Sequence, residues 1–235
     1  QQLIQRQVNQ SNYGDAKQTI LDNYSDPRGR RQALAGLERE AAFNEFSAGR
    51  IEEGLKHVAK VEPQSARAQL IAEVASRLGS GQKRAQALNY LESARSMLGT
   101  SLQAEDQSQM SALMNLAGAF SRHDSKRAFE ILDPLVDQFN ELSLAAKTLN
   151  GFGPQYFIDG ELSLFNGSPL SEIATPMAQT LGILSFADFE RAKLTADRLV
   201  LPEVRFAVNL EIVQQAIMPS GVYSPSAPYL NNRNR

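Results

Sequence analysis

Two glycine-rich segments have spacings that approach known phosphate-binding loops. Residues 79–83 read Gly-Ser-Gly-Gln-Lys, but they lack the Gly-x4-Gly-Lys-Ser/Thr spacing that points backbone N–H groups at a phosphate. Gly151, Phe152 and Gly153 begin like a dinucleotide-binding loop, but Tyr156 stands where a third glycine should let a helix pack closely. Neither segment predicts a nucleotide cofactor.

Side chains that catalyse reactions or bind metals are few. The chain has no Cys and only two His, and His57 and His123 fall in different segments, where we interpret them as solvated or capping residues. A zinc site would therefore need an unusually carboxylate-rich set of ligands. Carboxylate pairs such as Glu38 with Glu40 fall on helix faces that the periodicity marks as exposed, without the burial that acid-base catalysis requires. We predict that the protein is not an enzyme and holds no cofactor or metal.

The charge balance and the hydropathy bear on partners and location. Lys and Arg number 24 against 26 Asp and Glu, and the net charge of -2 does not suit a nucleic-acid binder. No apolar run approaches the roughly 20 residues that span a bilayer. The chain begins at Gln1 with no signal-peptide pattern, which predicts a processed or truncated N-terminus. We expect a soluble protein with no nucleic-acid partner and no transmembrane segment, and the composition favours an extracytoplasmic location over the cytoplasm.

Apolar residues recur at intervals of three and four along most of the chain, which is the spacing of a helix with one buried face. Short polar breaks between these segments have lengths suited to antiparallel helical hairpins. Strand-like alternation is almost absent. The predicted apolar stripes are Ile71, Val74, Ala75 and Leu78; Leu88, Leu91, Ala94 and Leu98; Met110, Leu113, Ala117 and Phe120; Ile131, Leu135, Phe139 and Leu142; Met177, Leu181 and Leu184; and Phe206, Leu210, Val213 and Ile217.

The joints between these helices also repeat. Asp26 and Pro27 recur as Glu62 and Pro63, a period of 36 with an Arg following each pair, and each pair suits an N-cap followed by proline at the first helical position. Small residues begin the second helix of each hairpin and should let the paired helices approach closely; they are Gly54, Ala85, Ala128 and Ala192. The sequence predicts an all-α fold, an α-solenoid of irregular antiparallel helical hairpins.

The chain resembles the tetratricopeptide-like helical repeats in the length of its hairpins and in the way that the helices follow one another in antiparallel pairs. The Asp-Pro and Arg-Ala joints look more like those of uncharacterised bacterial hairpin-repeat proteins. The resemblance implies a fold and brings no activity with it.

Residues 150–173 differ in kind from the rest and predict an insertion. Asp159 and Gly160 between two apolar runs indicate a two-residue β-hairpin, and the segment carries a formal charge of -3. Its role is open between a small plug packed on the solenoid and a recognition element. For the second alternative the candidate partner-binding residues are Phe152, Tyr156, Phe157 and Phe165.

The final segment, residues 219–235, is rich in Ser, Pro and Asn and has no acidic residue, so we predict an extended tail after a helical-repeat domain of residues 1–218. Such a tail could bind its own solenoid or a groove of another chain. Its candidate partner-binding residues are Tyr223, Pro225, Pro228 and Tyr229.

The function that these features favour is a non-catalytic scaffold for protein-protein interaction, through other proteins or through self-association, or a structural subunit of a larger bacterial assembly. An alternative is the superhelical, substrate-positioning part of a cell-wall-acting enzyme whose catalytic domain lies outside this chain.

Overall fold

The computed structural model describes residues 2–77, 83–99, 101–152, 155–162 and 168–217. Within these ranges the all-α class is confirmed, since the chain forms eleven helices and one short hairpin. The elements are α1 Gln2–Asn9, α2 Tyr13–Asn23, α3 Pro27–Ser47, α4 Ile51–Val58, α5 Gln64–Arg77, α6 Arg84–Met97, α7 Gln107–Phe120, α8 Ser125–Leu149, β1 Phe157–Ile158, β2 Glu161–Leu162, α9 Pro169–Leu184, α10 Phe189–Asp197 and α11 Pro202–Ile217.

The helices group into two compact units, residues 1–135 and 136–235, with the boundary inside α8. In the first unit each helix from α1 to α6 packs on the next one along the chain, and α5 also packs on α7. In the second unit α9, α10 and α11 pack on one another. Packing between sequence neighbours is compatible with a helical-repeat fold.

Side-chain caps fix where several helices begin. Asp26 accepts a hydrogen bond from the Gly29 N–H at 2.6 Å, and Ser168 accepts one from the Ser171 N–H at 3.2 Å. The helices α3, α9 and α11 each start with proline, whose missing N–H would have no partner in the first turn. The predicted cap at Asp26 is confirmed.

The first repeat is one residue longer than the sequence suggests, because α3 and α5 begin 37 residues apart. Arg30 donates from Nε to the Tyr24 carbonyl at 2.8 Å, and Arg67 donates from Nε to the Val61 carbonyl at 3.2 Å. Each bond joins the first helical turn to the carbonyl six residues earlier. The period of 36 is wrong by one residue, since α5 starts after Pro63 instead of at it.

A second kind of joint recurs 64 residues apart, between α7 and α8 and between α9 and α10. In each joint a Ser hydroxyl donates to the carbonyl three residues earlier, and an Asp carboxylate accepts from the N–H three residues later, as an N-cap. The first joint holds Ser121 with Gly118 (2.8 Å) and Asp124 with Arg127 (3.1 Å), and the second holds Ser185 with Gly182 (2.7 Å) and Asp188 with Arg191 (3.0 Å).

The predicted close approach of paired helices is confirmed at Gly54, and two of the other three small residues are buried. Gly54 is buried, and a Cβ added there would lie 2.4 Å from the Phe46 ring. Ala128 and Ala192 are fully buried. The prediction for Ala85 is wrong, because that side chain faces solvent and the buried position on α6 is two residues later.

The predicted apolar stripes are buried on α7 and α9. Leu78, the last member of the stripe predicted on α5, lies outside the described residues. On α8 the last member of the stripe, Leu142, is 41% exposed. The stripe predicted for α11 is wrong, since the buried side chains of that helix are Val204, Val208 and Ile212.

The predicted hairpin is confirmed: β1 and β2 are antiparallel and pair Phe157 with Leu162. Asp159 and Gly160 both have positive φ, 51° and 85°, as a tight two-residue turn requires. The insertion ends before residue 173, because Ser168 caps α9 and Pro169 is the first residue of that helix. The tail 219–235 lies outside the described residues, so the division at residue 218 stays a prediction.

Candidate functional site

The hairpin of the insertion is held in place by two polar side chains. Asn150 accepts hydrogen bonds from the N–H groups of Tyr156 and Phe157 at 2.9 and 3.1 Å. Glu203, in the first turn of α11, accepts one from the Leu162 N–H at 2.8 Å. The hairpin therefore packs beside the start of α11.

The candidate aromatic residues of the insertion occupy different environments. Phe152 is 89% exposed, Tyr156 is half-buried and Phe157 is 3% exposed. Burial of Phe157 follows from the strand alternation, which turns it and its pairing partner Leu162 inward. The side chain of Phe157 is thus part of the second unit's interior. The other candidates, Phe165, Tyr223, Pro225, Pro228 and Tyr229, lie outside the described residues.

Helix α11 is apolar on two opposite faces. At about 100° per residue, the buried Val204, Val208 and Ile212 lie on one side, and a second apolar row lies directly opposite. We call this row the outer face; its members and their exposed fractions are Phe206 (70%), Leu210 (48%), Val213 (48%) and Ile217 (70%). A helix that is apolar on both sides is typical of one covered on both sides.

Exposed large apolar side chains are concentrated in the second unit. In the described part of the chain the first unit contributes Leu3 alone, and the second unit contributes thirteen. Scattered single apolar residues are normal on a soluble surface, whereas large contiguous apolar patches are typical of interaction sites. Five of the thirteen are Phe152 and the four members of the outer face. The other eight are Leu142, Leu144, Leu149, Ile158, Phe186, Phe189, Leu194 and Val200.

A small groove lies beside the outer face, between α9 and α11. Its lining is mostly alanine and valine, and Glu211 is its one charged member. A lining of this kind suits an apolar side chain or short segment better than a charged ligand. The lining residues are Ala174, Thr175, Ala178, Gln179, Val204, Ala207 and Glu211.

The first unit contains a polar network that joins α2, α3 and α4. His57 Nδ1 lies 2.6 Å from Glu38 Oε2, and Lys60 lies 3.5 Å from the same oxygen. The Tyr13 ring meets the His57 ring edge-on at 4.9 Å, and the Tyr13 hydroxyl donates to Glu45 at 2.9 Å. The solvated face predicted for Glu38 is wrong, because its side chain is 14% exposed and paired.

Glu45 is the most buried carboxylate of this network, with a side chain that is 6% exposed. It accepts hydrogen bonds from Nε and Nη2 of Arg50. These bonds from Arg50 hold the pKa of Glu45 below its ordinary value, while burial raises the pKa of the Tyr13 phenol. An ionised, fully paired carboxylate stabilises the helix joint and has no proton to give, so we assign the network a structural role.

His123 is buried at the turn between α7 and α8, so of its two interpretations the solvated residue is wrong, whereas a contact of its ring with the last turn of α5 agrees with a capping residue. Its Nε2 lies 3.1 Å from the Ala75 carbonyl, and Arg84 donates twice to the His123 carbonyl, at 3.0 and 2.6 Å. These contacts fix the turn against α5 and α6. Sequence spacing could not reveal them, because the partners are 39 and 48 residues away.

The described residues contain neither a cluster of metal ligands nor a helix that could span a membrane. No group of three or more His, Asp or Glu side chains in those ranges is arranged to hold a metal ion. None of the helices described there combines the length and the apolar character needed to cross a bilayer.

No protein-family model matches this sequence, and no match was found among curated proteins or among solved structures.

Proposed function

We propose that this chain is a non-catalytic, tetratricopeptide-like scaffold of a bacterial assembly, acting outside the cytoplasm, whose second unit binds other proteins. The observation that supports this most is the concentration of exposed large apolar side chains in that unit, where the described residues include thirteen of them against one in the first unit. Apolar surface on this scale gives binding energy when a partner covers it.

The polar groups support the same proposal. The buried ionisable side chains of the first unit form contacts between helices. Glu45, for example, accepts hydrogen bonds from Arg50 and Tyr13. The groove between α9 and α11 offers apolar walls instead of converging charged groups. Recognition of a protein surface needs only shape and apolar area with a polar rim.

The test replaces single exposed leucines by Glu and compares proteins captured from the native source. Leu144 and Leu194 of the second unit are 56% and 65% exposed, and Leu3 of the first unit, at 57%, is the matched control. The substitutions should leave folding intact, because each side chain already faces water.

We expect quantitative mass spectrometry to show specific partners that Leu144→Glu and Leu194→Glu lose and that Leu3→Glu retains. Capture that is equal for all three variants would contradict the proposal. Binding of soluble cell-wall glycan fragments, with no protein captured, would favour the alternative of a substrate-positioning domain.

A further inference from the structure

We propose that residues 218–235 fold back along α11 and cover its outer face, so that the chain supplies the first occupant of its own apolar surface. The inference deepens the proposed function and rests on it for the role of this surface in binding. The contact itself lies within one chain and is tested without any partner.

The size of the outer face favours a tethered occupant over a second copy. Only four large side chains form it, whereas a stable protein-protein interface uses roughly 20–30 residues a side. A segment that begins directly after Ile217 is present at an effective concentration in the millimolar range, so weak apolar contacts are enough to keep it bound to the outer face.

The lengths of the segment and of the face agree. Phe206 and Ile217 are eleven residues apart, which at about 1.5 Å per residue is about 16 Å along the helix. Tyr223 and Tyr229 are six residues apart, about 19 Å in an extended chain at about 3.1 Å per residue. Pro219, which starts a Pro-Ser-Gly sequence after Met218, suits the reversal of direction that the contact requires.

Charge favours the same arrangement. Between residues 136 and 217 the second unit has ten acidic and five basic side chains, whereas the segment 218–235 has two Arg and no acid. Running antiparallel to α11, the segment brings Arg233 and Arg235 toward the start of that helix. There the hairpin, which packs against α11, carries Asp159 and Glu161. Opposite charges at that end fix the direction of the segment.

The test uses a single fluorescent reporter in the isolated full chain. The protein has no Trp, so Tyr229→Trp introduces the only one. We expect its emission to be shifted to the blue and its quenching by acrylamide to be several-fold weaker than that of free tryptophan amide. Adding Phe206→Glu should restore full quenching, and Arg205→Gln, an exposed change on the same helix between its two apolar faces, should not.

Circular dichroism checks that each variant keeps its helices, and Leu210→Glu is a second change on the outer face. Quenching of Tyr229→Trp equal to that of the free amide would overturn the inference. Protection of this Trp that Phe206→Glu and Leu210→Glu leave unchanged would overturn it as well. Protection that disappears on dilution would also overturn it, because the occupant would then be a second copy. Failure here leaves the capture result for Leu144→Glu and Leu194→Glu unaffected, so the two proposals can be separated.

Discussion

Replacing Glu45 by Gln should lower the free energy of unfolding of the first unit by about 2 kcal/mol at neutral pH. Glu45 accepts one bond from the Tyr13 hydroxyl and two from Arg50. A hydrogen bond to a charged group contributes about 1.5–3 kcal/mol. The Arg50 side chain is 51% exposed, so solvent screening places the loss in the lower half of that range.

The effect should depend on pH in a defined direction. Hydrogen bonds from Arg50 hold the pKa of Glu45 in the folded protein below its unfolded value. The stability that the ionised carboxylate contributes is therefore fully present above the unfolded pKa and is lost as the pH falls through the folded pKa. The difference between the parent chain and Glu45→Gln should shrink as the solution is made acid.

Urea unfolding followed by far-ultraviolet circular dichroism measures this difference at neutral pH and along an acid series. Glu53→Gln is the matched control, because the ion pair of Glu53 with Lys56 is exposed on both sides, at 53% and 66%, and solvent screening should leave it with much less effect on stability. An equal loss in both variants, or a loss for Glu45→Gln that does not change with pH, would refute the reasoning.

Three further substitutions test the joints by thermal unfolding and hydrogen exchange. Gly54→Ala should lower the free energy of unfolding by about 1 kcal/mol, because crowding of the new Cβ against Phe46 exceeds the gain in helix propensity. Gly14 has open space around it, so Gly14→Ala should raise the free energy of unfolding by up to about 1 kcal/mol. Equal effects of the two substitutions would contradict the close approach at Gly54. Asp188→Ala should cost about 1 kcal/mol through its lost N-cap, and an Asn there should recover most of it. Asn150→Ala should speed amide exchange in the hairpin beside α11, and unchanged exchange would show that the hairpin does not need this side chain.

The helices and the hairpin could be predicted because their signals are local. The interval of three and four residues marks a helix face, Asp26 caps α3 through its own first turn, and Asp159 with Gly160 needs nothing beyond two residues to reverse the chain. The spacing of Pro27 and Pro63 predicted a repeat that is one residue too short, since α5 begins one residue after Pro63.

The buried side of α11 could not be predicted, because this helix carries two apolar rows that both have helical spacing. The row through Phe206 and Leu210 contains the larger side chains, yet Val204 and Val208 face α9 and α10. Which row is buried depends on the neighbouring helices, and the sequence of α11 alone contains no information about them.

The polar contacts of the first unit were missed for a related reason. Glu38 and His57 belong to different helices and come together through the packing of α3 on α4. Their spacing of 19 residues has no period that a single helix would show. A charged residue predicted on a solvent-facing helix surface can therefore be half-buried and paired across a hairpin.

The most direct test of the central claim, that the second unit carries the binding surface, is crosslinking from defined positions. A photoreactive residue is placed at Leu194 in one chain and at Leu3, of similar exposure, in another, and both are irradiated in extracts of the native source. We expect crosslinked partner proteins from position 194 and none beyond background from position 3. Equal crosslinking from both positions, or crosslinking from position 3 alone, would contradict it.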